Sequence, residues 1–536
     1  MTGPPAALAA GRPALSRHWY AATLLVCVLL PTLLSLRYPP PLANDAVYLS
    51  LSWNHFVRTG EFARLPQPDS ANLAVEHAPV LTWWTPGPAV LIGSGEKLGL
   101  TWGHSLSLWL GITAWLQIAG WRRLYARLGY SANLVAWAVV IGAVGWTRLY
   151  SFRHFLGGDM FAAALLPWAG LLLLGTLRRP WWTRLGVVAA VTLLGVFFKL
   201  SFLVTAAGLG VAAWLLDLGR LGFSGGEIRR AVARGLPLGA GLVLAWLLLR
   251  LLFLSRGVAS PGSAHEMPWS WPGLLHAGAM SFVLPLSSIV AFLSLGGKTC
   301  DLLGWAHLED NAALLAAAVA VAAALYAAIA RTNRQTVARA FLLGLGAVYF
   351  GAFTFLYARS AAVSYEDRLF IPFGLFLLPA LLSALAASSP RWLRLAGALA
   401  LVAGSLWGGG SYAYRMRELI RHDVRSERGY GLFALPPAVD HAVRELDRRT
   451  PAGDSLFASP DPEALLAVTR HRIALLAPAA LHGKLFGRVA TLVVILPPHA
   501  AAPPMLATFV DYPAGRWHSR SVDDWTIWVQ ENPGSP

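Results

Sequence analysis

Four charged side chains lie within or next to apolar segments, and each belongs to a residue type that can do chemistry. Asp45 follows the first apolar segment of the chain, and Asp159 stands at the start of a later one. Lys199 interrupts the apolar run Leu193–Val204, and Arg368 precedes a further apolar segment. A carboxylate can act as a general base toward a hydroxyl, and an ammonium or guanidinium group can bind phosphate. The sequence therefore offers two acids and two phosphate-binding cations near the ends of apolar segments.

Both acids also have a structural interpretation. Asp45 can cap the helix that follows it, and Asn44 can provide the same cap, because both residue types are favoured at helix N-caps. Asp159 follows Gly157-Gly158 and can be a loop or N-cap residue. Against this, carboxylates at membrane depth mark functional sites by default. The residue types alone leave both interpretations open.

The two cations have the same two interpretations. An ammonium group in an apolar run must pair, reach water or bind an anion, so Lys199 can simply extend its side chain to the end of its segment. Arg368 can form a structural pair with Glu366 or Asp367, which directly precede it. Phosphate binding and a structural role are both open for each cation.

The composition places these residues in a membrane protein. Of the 536 residues, 56% are hydrophobic and 13% are charged, and the mean hydropathy is +0.54. Soluble domains carry about 25% charged residues, so the deficit of charge indicates a polytopic membrane protein. The net charge of +16 does not indicate nucleic-acid binding, because the arginines lie mainly between apolar segments. In that position they set the membrane topology.

Apolar segments long enough to cross a membrane recur along residues 1–414. A span needs about 20 mostly apolar residues, and by that rule we expect about eleven transmembrane helices. Arginines cluster in alternate loops, so the positive-inside rule places the N-terminus in the cytoplasm and the C-terminal part outside. The expected spans are Trp19–Leu36, Gly103–Trp121, Ala132–Leu149, Met160–Leu177, Leu185–Phe198, Phe202–Leu218, Leu236–Leu254, Ala312–Ala330, Ala340–Tyr357, Leu369–Ala387 and Leu393–Tyr412.

Two long loops are expected on the outer side. The first, residues 37–102, carries the amphipathic stretches Ala46–Thr59 and Ala89–Leu98, which we expect to lie as helices in the membrane interface. The second, residues 255–311, contains the moderately apolar stretch Leu274–Leu295. That stretch is either a pair of interfacial helices or additional spans.

The last part of the chain, residues 415–536, differs from the rest. Its charge is higher, and helical and strand patterns alternate along it. The strand patterns fall at Ser455–Ala458, Ile473–Leu476, Thr491–Leu496 and Thr526–Val529. This alternation predicts a small extracytoplasmic α/β domain, so the expected fold class is an α-helical polytopic membrane protein with a C-terminal α/β domain.

Several short motifs occur in order along the chain and share the outer side in the expected topology. They are Asn44–Leu49 followed by Thr59–Phe62, Pro86–Pro88, Gly157–Met160, Phe197–Ser201, Asp367–Pro372, and the tail run from Thr450–Asp454 through Arg470. Together they resemble the motifs of the GT-C class of membrane glycosyltransferases, in particular protein O-mannosyltransferases and lipid A aminoarabinose transferases. The resemblance covers most of the membrane region and the tail. Asn44 departs from the pattern, because protein mannosyltransferases usually have a second acid there.

The resemblance implies a donor, a reaction and roles for the four charged residues. Members of the class transfer a sugar from a polyprenyl-phosphate donor to an acceptor on the outer face of the membrane. Asp45 is then expected to be the general base of a single inverting displacement. Asp159 would be a second acid that orients the acceptor or helps Asp45 to hold a metal. Lys199 and Arg368 would bind the donor phosphate and stabilise its developing charge.

Further residues near these motifs are weaker candidates. Tyr48, Arg153, His154 and Glu366 can face the same cavity or contact the acceptor, although satisfied polar contacts or interfacial anchoring are the favoured explanation of Arg153 and His154. A divalent metal is possible as a cofactor, and no other cofactor is indicated. The residue types of the candidate ligands suit zinc or manganese, although ordinary polar residues at the protein surface are the favoured explanation. The candidates are Glu76, His77, His265 and Glu266.

These observations predict a glycosyltransferase of the bacterial inner membrane that uses a polyprenyl-phosphate sugar. Its expected partners are that donor, membrane lipids, and a glycan, lipid or protein acceptor. Three alternatives remain: a transporter or flippase of lipid-linked sugars, a polymerase or ligase of surface polysaccharide, and an inactive relative that serves as a scaffold. Transporters tend to show internal repeats, and the sequence has no convincing one. Polysaccharide polymerases usually use a large late outer loop, and residues 255–311 hold few carboxylates.

Overall fold

The structure is a computed structural model that combines a bundle of long helices with a small C-terminal sheet domain. The residues it describes are 18–42, 44–62, 64, 67–69, 71–77, 80–82, 84–146, 157–218, 225–258, 268–292, 311–359, 365, 367–388, 390–422, 428–429, 435–451, 453–476 and 484–531.

The helices of the bundle follow the apolar segments of the sequence. In chain order they are α1 (Trp19–Arg37, with a π-helical turn at Leu25–Leu29), α2 (Asn44–Thr59), α3 (Gly87–Lys97), α4 (Trp102–Arg127), α5 (Ala132–Trp146), α6 (Asp159–Thr176), α7 (Trp181–Phe198), α8 (Phe202–Leu218), α9 (Gly225–Leu252), α10 (Trp271–Phe292), α11 (Ala312–Thr332), α12 (Thr336–Arg359), α13 (Ile371–Ala387) and α14 (Arg391–His422).

Each of the eleven expected spans coincides with one of these helices. Seven helices in the described part of the chain are long and apolar enough to cross a membrane, and three shorter apolar helices accompany them. The stretch Leu274–Leu295 is open in the sequence to two interpretations, a pair of interfacial helices or further spans. Most of it lies in the single long helix α10, which is one of the seven. The chain is therefore a multi-pass membrane protein, as its composition predicted.

Local sequence explains where several helices begin and end. The Thr101 side chain accepts a hydrogen bond from the His104 N–H and caps α4, as hydroxyl residues do at helix N-termini. Helix α4 ends before Gly129, whose φ of +93° suits glycine. The Asn311 side chain caps α11 by accepting from the Leu314 N–H at 3.1 Å.

Small residues let two of the central helices approach closely. A Cβ built on Gly344 of α12 would lie 2.5 Å from the backbone nitrogen of Ala212 in α8, and a Cβ on Gly208 would lie 2.7 Å from Leu345. Membrane helices associate through small residues of this kind, because lipid gives no hydrophobic drive for helices to meet. The α8–α12 contact thereby brings the segment after α12, which carries Arg368, toward the start of α8.

The first long loop contains α2, α3 and three two-residue strands. Strands β1 (Gln67–Pro68) and β2 (Glu76–His77) pair antiparallel. Strand β3 (Val80–Leu81) pairs in parallel with β4 (Gly257–Val258), which follows α9. The two long loops of the sequence are therefore joined to each other by backbone hydrogen bonds.

The amphipathic pattern of α2 agrees with its burial except at one position. Leu49 and Trp53 are buried, whereas Val57, whose spacing predicts the same apolar face, is 60% exposed. The last turn of α2 is therefore less covered than its apolar residues suggested.

The tail domain forms one mixed sheet with short helices around it. The sheet has the order β6-β5-β7-β9-β8, with β5, β6 and β7 parallel and β8 and β9 antiparallel. Four of its strands match the sequence patterns, and β8 was not predicted. Its elements are α15 (Pro437–Arg449), β5 (Ser455–Ser459), α16 (Pro462–Leu465), β6 (Arg472–Leu475), β7 (Thr491–Leu496), α17 (Ala502–Leu506), β8 (His518–Val522) and β9 (Trp525–Glu531).

Candidate active site

Three of the charged residues singled out in the sequence line the same cavity. Asp159 comes from the first turn of α6, Lys199 from the end of α7, and Arg368 from the turn before α13. The cavity has a volume of about 20 Å³, enough for a water-sized molecule. Residues that are far apart in the sequence therefore meet at one end of the helical bundle.

Asp159 and Lys199 form an ion pair in this cavity. The Lys199 Nζ donates to the Asp159 Oδ2 at 3.0 Å. The side chains are 14% and 22% exposed, respectively, so the pair is shielded but still reachable from outside. The N-cap of α6 is Gly158, and within the described residues the Asp159 carboxylate bonds to Lys199 rather than capping the helix.

The backbone holds Lys199 between the starts of two other helices. Lys199 is the C-cap of α7 and has an extended conformation, with φ of −155° and ψ of 122°. A Cβ built on Gly87 would lie 2.4 Å from the Phe197 carbonyl oxygen, and one built on Gly158 would lie 1.8 Å from the Phe198 carbonyl oxygen. Only glycine permits this approach, so the two glycines bring the starts of α3 and α6 against the residues that precede Lys199.

The other walls of the cavity are mostly apolar. Ala162, Leu166 and Phe202 line it together with Arg368 and its neighbours. A low-polarity wall strengthens electrostatic interactions, because the surroundings screen charge less than water does. A charge that develops next to Lys199 and Arg368 would therefore feel both cations strongly.

The turn that carries Arg368 is held in place by the aromatic residue that follows it, Phe370. Phe370 is fully buried and packs against Phe353 of α12, with ring centroids 4.6 Å apart. Tyr349, one turn earlier in α12, shares a 2.6 Å hydrogen bond with Thr205, which lines the cavity. The aromatic cluster thus fixes the Arg368 turn relative to α8.

Helix α2, which carries residue 45, packs against the segment just before Asp159, and the Asp45 side chain lies outside what the structure describes. Leu49 lies one helical turn after residue 45, on the same face. The Cδ1 atom of Leu49 is 3.2 Å from a Cβ built on Gly157, two residues before Asp159. Tyr48, the residue before Leu49, stacks on Trp84 with ring centroids 4.3 Å apart. The position of the Asp45 carboxylate remains a prediction.

The remaining sequence candidates lie outside what the structure describes. These are Arg153, His154, His265, Glu266 and Glu366, and the side chains of Glu76 and His77. Within the described residues, no group of three or more His, Cys, Asp or Glu side chains could hold a metal ion. The metal site therefore stays an untested expectation.

A second charged cluster, which no sequence pattern marks, joins the segment before the tail domain to the first long loop. Arg428 pairs with Glu96 of α3 at 2.5 Å and donates to the Asn54 Oδ1 of α2 at 2.8 Å. Glu96 also accepts from the Trp53 Nε1 at 2.9 Å. Arg428 thereby connects α2 and α3, the two helices of the first loop, to the segment that leads into the tail domain.

The tail domain also holds the first loop directly. Leu73 is 1% exposed and belongs to the apolar core of the tail sheet. Its N–H donates to the Phe486 carbonyl at 2.8 Å, and the Arg472 Nη1 donates to the Ala74 carbonyl at 2.6 Å. Arg472 is itself paired with Asp454. The first loop is therefore built into the tail domain rather than lying free above the bundle.

A third charged cluster lies at the opposite end of the helices that form the cavity. The Arg184 Nη1 donates to the Asp217 Oδ2 at 2.7 Å, joining the first turn of α7 to the last turn of α8. Arg184 also donates to the carbonyl oxygens of Thr176 and Leu177 at the end of α6. In the sequence Arg184 is one of the arginines that follow the fourth expected span, and no local pattern marks Asp217.

Comparison with known proteins identifies the fold. No protein-family model and no curated protein sequence matches the chain. The crystal structure of ArnT from Cupriavidus metallidurans in the apo state aligns with a TM-score of 0.54 at 13% identity, over 95% of this chain and 97% of that one. The same protein bound to undecaprenyl phosphate aligns with a TM-score of 0.55 at 13% identity, over 96% and 98%.

A further solved structure is also similar. The arabinofuranosyltransferase AftD from Mycobacteria aligns with a TM-score of 0.49 at 16% identity, over 97% of this chain and 40% of that one. The two ArnT structures match almost the whole length of both chains, including the tail. The chain therefore has the ArnT fold, which confirms the GT-C-like architecture that the sequence motifs predicted.

Proposed function

We propose that this protein is a membrane glycosyltransferase that moves a sugar from a polyprenyl-phosphate donor to an acceptor on the outer face of the membrane. The observation that carries the proposal is the meeting of Asp159, Lys199 and Arg368 in one cavity of a chain with the ArnT fold. One of the similar ArnT structures is bound to undecaprenyl phosphate. Two cations in a shielded cavity are suited to a lipid phosphate.

The donor phosphate would take the place that Asp159 holds beside Lys199. The cavity of about 20 Å³ is too small for a phosphoryl group while the ion pair is closed. Separation of the pair would open the space and leave Lys199 facing the phosphate, with Arg368 as a second, bidentate partner. As the bond from the sugar to phosphate breaks, these cations would stabilise the charge that collects on the leaving phosphate.

Asp45 would complete the displacement from the other side of the sugar. A bond forms between the acceptor oxygen and the anomeric carbon, the bond from that carbon to the phosphate oxygen breaks, and the acceptor proton passes to Asp45. A single displacement inverts the configuration at the anomeric carbon. The packing of Leu49 against Gly157 supports this role, because it sets the start of α2 beside the Asp159 corner.

Asp159 would act mainly through Lys199. While the cavity is closed, its carboxylate holds the ammonium group in position at 3.0 Å. When the phosphate displaces it, the carboxylate becomes available to accept a hydrogen bond from the acceptor hydroxyl.

The same proposal sets the orientation of the chain. The Asp159 end of the bundle would face the outside of a bacterial inner membrane, as would the tail domain that is joined to the first loop. The N-terminus would lie in the cytoplasm. The acceptor would be a glycan, a lipid or a protein that reaches the cavity from the outer side.

The test is a donor assay with purified protein in nanodiscs. A panel of polyprenyl-phosphate sugars is supplied with outer-membrane and cell-wall glycan acceptors, and the release of polyprenyl phosphate is followed by mass spectrometry. We expect release that depends on acceptor and that Asp45→Asn reduces by about 100-fold or more, within the range for a lost general base. An exposed acid of the tail, Asp524→Asn, serves as the control.

Two outcomes would contradict the proposal. Release that is unchanged in Asp45→Asn would exclude Asp45 as the base. Movement of an intact donor across a liposome membrane, with no release of polyprenyl phosphate, would make the protein a transporter of lipid-linked sugars instead.

A further inference from the structure

A large cavity lies between α10, α11, α12 and α13, apart from the candidate active site. Its volume of about 750 Å³ falls in the range of ligand-binding cavities. Its walls are almost wholly apolar, with aromatic and aliphatic side chains from all four helices. They include Phe282, Tyr326, Leu343, Phe350, Phe373 and Leu377. The shape and chemistry suit a hydrocarbon chain.

One end of this cavity is strongly cationic. Arg331, Arg334 and Arg339 surround the turn between α11 and α12, and all three are exposed. Arg339 also lines the cavity and donates through Nε and Nη2 to the carbonyl oxygens of Asn333 and Ala330. Its Nη1 has no hydrogen-bond partner within the described residues. Within the described residues, none of the three arginines pairs with an acidic side chain.

This cationic end lies at the opposite membrane face from the candidate active site. Phe353 of α12 packs against Phe370, next to Arg368, whereas Arg339 is near the other end of the same helix. The two positions are roughly 20 Å apart at 1.5 Å per helical residue. A donor lipid with its phosphate at Lys199 and Arg368 would therefore bring no phosphate to Arg339.

We propose that the cavity is a binding site for an anionic phospholipid of the leaflet opposite the candidate active site. One acyl chain lies in the apolar cavity, and the phosphate is bound by Arg334 and the Nη1 of Arg339. Basic clusters between membrane helices bind anionic lipid headgroups in this way. The site is separate from the proposed sugar-transfer site and does not depend on that proposal.

The experiment measures lipid binding to the full-length protein by native mass spectrometry. Detergent-purified protein is titrated with phosphatidylglycerol and, separately, with phosphatidylcholine of the same acyl chains. We expect phosphatidylglycerol to bind at least fivefold more tightly. Arg334→Gln should reduce that preference to less than twofold, and Ala347→Trp, which fills the cavity from its exposed wall, should reduce binding of both lipids.

A matched control keeps the test specific. Arg391→Gln together with Arg394→Gln removes two exposed arginines at the start of α14, outside the cavity lining, and should leave the preference unchanged. Equal binding of the two lipids by the wild-type protein would overturn the proposal. So would competition by polyprenyl phosphate for the same site, or a dimer that Ala347→Trp dissociates, because another occupant would then fill the cavity.

Discussion

Two ion pairs lie at opposite ends of the same three helices, α6, α7 and α8, and their surroundings differ. Arg184 and Asp217 are 10% and 1% exposed, and Arg184 also satisfies two carbonyl oxygens at the end of α6. Asp159 and Lys199 are 14% and 22% exposed and line a cavity that also contains Arg368. The Arg184–Asp217 pair, the closed pair, is packed among helix ends. The Asp159–Lys199 pair, the open pair, borders a cavity that can take a ligand.

The difference separates a structural pair from an exchangeable one. The Arg184 guanidinium bonds to the ends of two helices, α6 and α8, so moving it would remove one hydrogen-bond donor from the buried Asp217 carboxylate and from two carbonyl oxygens. Within the described part of the chain, the Lys199 ammonium group has one hydrogen-bond partner, Asp159. An incoming anion needs to replace only that contact. Burial and the number of bonds, rather than the presence of an ion pair, therefore indicate which end of the bundle can bind a substrate.

The largest expected effect is on stability, at the closed pair. Arg184→Met should destabilise the protein by about 3–5 kcal/mol, because it leaves the Asp217 charge buried with its closest partner removed. Activity per folded molecule should change little. Thermal unfolding in detergent and the specific activity of the folded fraction check both halves. A folded but inactive Arg184→Met protein would break the distinction between the two pairs.

The second effect is on activity, at the open pair. Lys199→Met should lower the rate of sugar transfer about 10²–10³-fold, the usual loss when one preorganised donor to a developing anion is removed. Unfolding temperature should fall much less than in Arg184→Met. Lys484→Met, on the exposed surface of the tail domain, is the matched control. Transfer at the wild-type rate would show that Lys199 is only a structural partner of Asp159.

A smaller effect on stability and activity is expected from Gly158, which lets the start of α6 approach the backbone before Lys199. Gly158→Ala would place a Cβ 1.8 Å from the Phe198 carbonyl oxygen, and the shift of α7 needed to relieve that clash should cost about 1–3 kcal/mol. Activity should fall with it, because Lys199 follows Phe198 directly. Gly175→Ala is a control in the same helix, since nothing lies within 4 Å of its Cβ position. Equal behaviour of the two variants in unfolding and transfer assays would contradict this account.

The smallest effect is expected from removing the closed pair as a whole. Arg184→Leu together with Asp217→Leu should recover most of the stability that Arg184→Met loses, because a buried ion pair gains little over apolar side chains once both charges are gone. Arg234, 3.8 Å from Asp217, remains partly exposed and can turn to water. Unfolding midpoints of the single and double variants decide the point. A double variant less stable than either single one would show that the pair itself stabilises the fold.

The sequence marks both residues of the open pair as candidates but neither residue of the closed pair. Lys199 was noticeable because it interrupts an apolar run, and Asp159 because it begins one. Arg184 lies among other arginines that follow an apolar segment, so it resembled an ordinary topological charge. Asp217 stands at the end of a segment, where a single acid gives no local pattern. The connection between them exists only after α7 and α8 have packed.

The joint between the first loop and the tail domain was missed for the same reason. Arg428 contacts Glu96 and Asn54, which are more than three hundred residues earlier in the chain. Leu73 is a single apolar residue in a polar loop, and no periodicity marks it as part of the core of another domain. Contacts between single residues at such separation leave no repeating signal in a sequence.

The membrane character, the positions of the long helices, the four charged residues near their ends and the α/β nature of the tail can all be predicted from the sequence. These features follow from composition and from local periodicity, which act over one or a few helical turns. The folded molecule adds that Asp159, Lys199 and Arg368 share a cavity, that Arg184 and Asp217 pair at the opposite end, and that the tail domain holds the first loop. Those outcomes depend on how distant helices pack, and packing is set by close approaches, such as that of Gly158 to Phe198, which no local pattern records.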